Sequence, residues 1–103
     1  MSSSTVDTGR AIAQDVVVTD ERLEIKLTDG RMISAPIAWY PRLQHGTPAE
    51  RSNWRLIGQG EGIHWPDIDE DISVANVLAG RPSGESQASL KKWLEGRHSG
   101  ANQ

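Results

Sequence analysis

The sequence contains no cysteine, which excludes disulfides, thiolate zinc sites and cysteine nucleophiles. That absence suits a reducing compartment, so a cytoplasmic location is the expectation. Phenylalanine is missing too, and four tryptophans with a single tyrosine carry the aromatic area. No apolar run approaches the roughly 20 residues that a membrane span needs. Met1-Ser2-Ser3-Ser4-Thr5 has neither the basic flank nor the apolar stretch of a signal peptide. No internal repeat is visible.

What is present fits one domain of 103 residues, 36% hydrophobic and 24% charged. A domain of this size buries roughly 60–65% of the surface its unfolded chain exposes, which leaves little room for a deep, dry active site. The net charge of −3 is unevenly spread. Residues 15–80 hold eleven acids against six Lys or Arg, whereas residues 82–103 hold two acids against three. An acidic core is poorly suited to phosphates and better suited to a basic protein.

Residues 1–13 lack periodicity and read as a flexible arm. Asp15–Thr19 is β-branched, and Leu23, Ile25 and Leu27 alternate with Arg22, Glu24 and Lys26, the period of a half-buried strand. Asp29-Gly30 signals a hairpin, with Arg31–Ala35 returning. Together these predict a three-stranded antiparallel meander. Ile37, Tyr40 and Leu43 predict a short helix over 36–44, with Pro41 inside it as a kink. Thr47-Pro48-Ala49-Glu50 carries the cap, first-position proline and capping-box acid of a second helix at 48–53. Trp54–Ile57 and Ile63–Trp65 read as short strands flanking a glycine turn. Ser73 caps a helix over 74–79, which Gly80 closes. The core domain is thus 14–80, followed by a linker at 81–86. Leu90, Trp93 and Leu94 lie on one face of a final amphipathic helix at 87–97, and 98–103 reads as a disordered tail. The fold class is α+β: a small antiparallel sheet, formed by the meander and two further short strands, packed with two or three short helices.

The residues Asp29-Gly30-Arg31, Pro36–Leu43, Glu50–Trp54 and above all Gly60–Ser73, with its tryptophan-proline-acidic run ending in Ile72-Ser73, resemble the domain-of-unknown-function 2442 family of small bacterial proteins. The resemblance covers roughly residues 15–80. It implies a compact α+β fold and an antitoxin-like role in a two-gene toxin–antitoxin pair, and it brings no catalytic residues. Some relatives add a helix-turn-helix domain. Only about 23 residues follow Gly80 here, so direct contact with nucleic acid is not expected.

Glu61, Asp67, Asp69, Glu70 and Asp71 fall within eleven residues that contain no Lys or Arg. Asp67-x-Asp69-x-Asp71 imitates the start of a calcium loop. Ile72 stands where that loop needs glycine, however, and Leu78 where it needs a bidentate Glu. Acids preceding the Ser73 cap favour a helix N-terminus. That explains one or two of them, and the surplus marks a surface for a basic partner. Gly58-x-Gly60-x-Gly62 has the wrong spacing and context for a phosphate loop and reads as a turn. Trp39-Tyr40-Pro41 reads as core, with Arg42 and Arg51 either snorkelling or touching an anion or partner.

These observations lead to a non-enzymatic protein-binding domain with no cofactor, metal or catalytic residue. In this reading the five acids steer a basic partner, and Leu90, Trp93 and Leu94 anchor it. The first alternative is a transcription-related or scaffold domain that meets nucleic acid only within a complex. The second is a small metal-dependent enzyme built on His64 and its neighbouring acids. The partner's identity and the oligomeric state are not written in the sequence.

Overall fold

The computed structural model describes residues 11–101, with side chains described through residue 97. Residues 102–103 of the predicted tail at 98–103 and residues 1–10 of the predicted arm lie outside that range, whereas 98–101 continue the last helix. Alternation along Arg22–Leu27 places Leu23, Ile25 and Leu27 wholly inside. This strand, β2, is the middle of an antiparallel meander between β1 (Ala13–Val18) and β3 (Met32–Pro36). The Thr19 hydroxyl accepts from the Glu21 and Arg22 amides and closes the first turn. Gly30 closes the second at φ +96°, a conformation costly for a residue with a Cβ. β1 begins two residues earlier than the sequence predicts. A register shift between Ala13 and Asp15 lets the strand continue, and Ala11 and Ala13 are buried in the core.

The predicted helix over 36–44 is divided. Ile37–Trp39 forms a 3₁₀ turn and Pro41–Gln44 forms α1, with Tyr40 between them at φ −128°, ψ 82°. Pro41 is the cause, because proline has no amide to donate and forces the preceding residue out of helical space. α2 (Pro48–Ser52) carries the full capping box, with Thr47 accepting from the Glu50 amide and Glu50 from the Thr47 amide.

A second antiparallel sheet follows: β4 (Arg55–Ile57), β5 (Gly62–Trp65) and β6 (Glu70–Ser73). The sequence does not predict β6. Acids are poor strand formers, yet Ile72 pairs with Ile63 across the hairpin and is buried. That one apolar anchor, with the ladder to β5, is enough to extend an acidic segment. Both sheets contribute to one core, where Trp65 is wholly buried and its indole N–H donates to the Arg51 carbonyl at 3.0 Å. Ser73 caps α3 (Val74–Leu78), accepting from the Asn76 amide.

α3 ends in a Schellman turn. The Gly80 amide donates to the Val77 carbonyl, and the Arg81 amide to that of Asn76. Gly80 sits at φ +78°, as that motif requires. The turn sends residues 81–85 back across the domain, where the Ser83 amide donates to the Trp39 carbonyl at 3.0 Å. The predicted linker is therefore pinned to the core. The last helix, α4, runs from Gln87 to Ala101, longer than predicted.

Candidate functional site

The β5–β6 turn and the returning 81–85 segment converge on Arg42 at the start of α1. Its guanidinium donates to both carboxylate oxygens of Glu85 at 2.8–3.0 Å, and to the Ile68 and Asp69 carbonyls at 3.1 and 3.2 Å. Little of that cation remains for other charges. Asp69 lies 4.0 Å away with its side chain 89% exposed. It occupies φ +52°, a conformation that aspartate tolerates better than most residues. Asp67 accepts from the Asn53 side-chain amide at 2.9 Å and is otherwise open to solvent.

β6 divides the remaining acids between its two faces. Asp71 points outward and meets His64 directly across the ladder, with the His64 Nδ1 against the Asp71 carboxylate. Arg55 stands in the same cross-strand row. Glu70 points the other way and is half-buried. Loss of hydration, and after it the Glu85 charge, pushes the Glu70 carboxyl up to about 7. Asp71 and Asp69 add to this rise, and Arg42 opposes it. Glu61 is not part of the group. It lies at the far end of the hairpin, where Gly62 pairs with Ser73.

Glu70 opens onto a cleft of about 170 Å³, walled by Tyr40, β6, Asn76 and residues 81–84. Tyr40 is only 2% exposed, and its hydroxyl has no hydrogen-bond partner among the described residues. Burial, and then the Glu70 charge, raises the phenol above its ordinary range. Arg81 is exposed and reaches the Asn76 side-chain oxygen at 3.4 Å. Sequence reasoning named Glu70 here but missed Tyr40, Asn76, Arg81 and Ser83. The available signal was Gly80, because a glycine closing α3 reverses the chain and brings 81–84 over β6.

The predicted anion or partner contacts, Arg42 and Arg51, are turned to the protein's own oxygens. Arg51 donates to the Leu43 and Gln44 carbonyls at 2.8 Å and to Asp20 at 2.7 Å. α1 has a single turn, so its last carbonyls lack helical partners and draw the guanidinium inward. Trp93 likewise faces the core. The guanidinium groups of Arg42 and Arg97 lie over its ring, 5.1 and 4.7 Å from the centroid, and Arg97 forks onto Glu50 at 3.0 and 3.1 Å. Those bonds hold the Glu50 carboxyl below its usual range, as Arg42 does for Glu85. Leu90 and Leu94 are half-buried and border an open apolar hollow with Gln87, Ala88, Lys91 and Glu95. Among the described residues, no three His, Asp or Glu side chains gather to hold a metal ion. No described helix is long and apolar enough to cross a membrane.

Residues 13–83 match the model of a family described as protein of unknown function (DUF2442). No curated protein shows significant similarity to the sequence. The fold resembles the crystal structure of a protein of unknown function from Rhodospirillum rubrum, with TM-score 0.63 and 22% identity over 79% of this chain and 98% of that one. It is similar too to the solution structure of an uncharacterised protein from Chromobacterium violaceum. That match has TM-score 0.63 and 16% identity, covering 85% of this chain and 81% of that one. At these identities the likeness establishes the fold and nothing further.

Proposed function

The chain belongs to the DUF2442 family, and on that footing we propose that it is a non-enzymatic binding domain whose acidic turn receives a small basic protein. One observation carries this reading: the negative charge around Glu70 is left over after internal pairing. Arg42 is committed to Glu85 and to two carbonyls, while Asp67 and Asp69 project from the turn. Such a field speeds the encounter with a cationic partner and selects against anionic ones. The hollow beside Leu90 and Leu94 supplies apolar contact area at α4. Within the two-gene arrangement that the family resemblance implies, this chain takes the antitoxin-like part.

Quantitative capture from native lysate, under identical salt, tests this with two baits. One is the full chain; the other carries Asp67→Asn, Asp69→Asn and Asp71→Asn. A basic protein enriched by the first bait, released by raised salt and absent from the second is the expected result. An identical set of captured proteins on both baits would refute the reading.

A further inference from the structure

The cleft beneath the acidic turn has the chemistry of a receptor for one functional group. A buried hydroxyl without a partner costs roughly 1–3 kcal/mol, and cores of this kind rarely leave one unmet. Among the described residues Tyr40 carries such a hydroxyl, itself closed off from solvent, and the residue lines the cleft. The other walls offer oxygens: the Glu70 carboxylate, the Asn76 side-chain oxygen, and the Ser73 and Ser83 hydroxyls. Asp69, Asp71 and Glu85 place negative charge around Glu70, and Arg42, already forked onto Glu85, opposes them from within the protein. A group that matches several diverging acceptors and carries positive charge fits best as a planar fork of N–H donors. At the mouth the protein's own Arg81 already reaches Asn76 with a guanidinium. Arg81 itself is exposed, and this 3.4 Å contact is a long one.

We infer that this cleft takes the guanidinium of an arginine side chain presented by the partner, with Glu70 and the Tyr40 hydroxyl as its innermost contacts. The inference rests on the proposed reading for the source of that arginine, though not for the chemistry of the cleft.

The test is an amide chemical-shift titration of the full chain with acetyl-arginine methylamide. Acetyl-citrulline methylamide serves as the neutral isostere, and free arginine as a small-molecule comparator. Saturable shifts at Asn76, Ser83 and Gly84 are expected, with a Kd of about 1–10 mM. Citrulline should bind at least fivefold more weakly. Glu70→Gln and Tyr40→Phe should each weaken arginine binding at least fivefold, and both preserve shape, so folding is not at stake. The absence of saturation, equal binding of citrulline, or unchanged affinity in both variants would overturn the inference. Tighter binding of free arginine than of the blocked form would overturn the partner as its source.

The two readings fail separately. Capture that survives Glu70→Gln with Tyr40→Phe would sink the cleft as the partner's arginine site while leaving the acidic-turn reading intact. Saturation by the probe with no basic protein captured would do the reverse.

Discussion

Glu70 concentrates the residue-scale consequences. Its carboxyl is raised to about 7, against roughly 4.3 in an unfolded chain. Below both values the group is protonated in either state and contributes nothing. Between them the unfolded chain ionises first, so stability falls as pH climbs from about 4.5 to about 7 and stays lower above that. Removing the charge should therefore help only at high pH. Glu70→Gln is expected to stabilise the fold at pH 8 by about 1–2 kcal/mol, the full shift being discounted for remaining exposure. At pH 4 it should change nothing, and thermal unfolding at the two pH values measures the difference. An equal effect at both would mean that the gain comes from something other than the charge. The acids themselves were legible as a cluster free of Lys and Arg. Their division was not, because it depends on β6. Strand alternation turns Asp71 outward to His64 and Glu70 inward to Tyr40, and nothing in a string of acids announces a strand.

Two glycines offer a second comparison at this scale. Gly30 and Gly60 share φ +96°, but a Cβ at Gly30 meets open space. At Gly60 it would stand 2.8 Å from the Ile12 side chain and 3.0 Å from the Ala13 carbonyl. Gly30→Ala should cost about 1 kcal/mol through backbone strain alone. Gly60→Ala should cost about 1–3 kcal/mol more, because β1 must shift. Denaturant midpoints of the two variants, with unchanged slopes, measure that gap. Equal costs would show that β1 does not press on this turn.

Among the elements, α4 is the one attached most thinly. Its described ties include the Trp93 contacts, the Arg97–Glu50 fork with a 3.5 Å bond from Arg97 to the His45 carbonyl, and the Arg42–Glu85 pair just before it. Both carboxylates have lowered pKa values. Their contribution is present above the ordinary carboxylate range and is lost as pH falls below about 4. Arg42→Ala removes a guanidinium that serves the turn, Glu85 and Trp93 together, and should cost about 1–3 kcal/mol. Hydrogen exchange should show residues 87–97 losing protection while β2 keeps most of its own. Uniform loss across the chain would mean that α4 unfolds only with the core. The meander, the capping box and the α3 stop were readable because each rests on local rules: period two, Thr-Pro-x-Glu, and a glycine at C′. The division at Tyr40 follows from Pro41 and was half-read as a kink. The docking of α4 was not readable, since Arg42, Trp93 and Arg97 come from distant positions and meet only in the folded chain.

At the scale of the whole molecule, internal pairing uses most of the cations near the β5–β6 turn and leaves Asp67 and Asp69 facing solvent over a cleft with an unanswered hydroxyl. Surplus charge of one sign at one end of a small domain steers association and weakens the fold slightly through self-repulsion. The most direct measurement is zero-length carbodiimide cross-linking of the protein in native lysate, with the joined residues identified by mass spectrometry. Cross-links from Asp67, Asp69 and Asp71 to lysines of a single basic protein are the predicted result. Adducts spread equally over Glu21, Glu24 and Glu95, or no adduct to a basic protein, would contradict the assignment of the acidic turn as the binding surface.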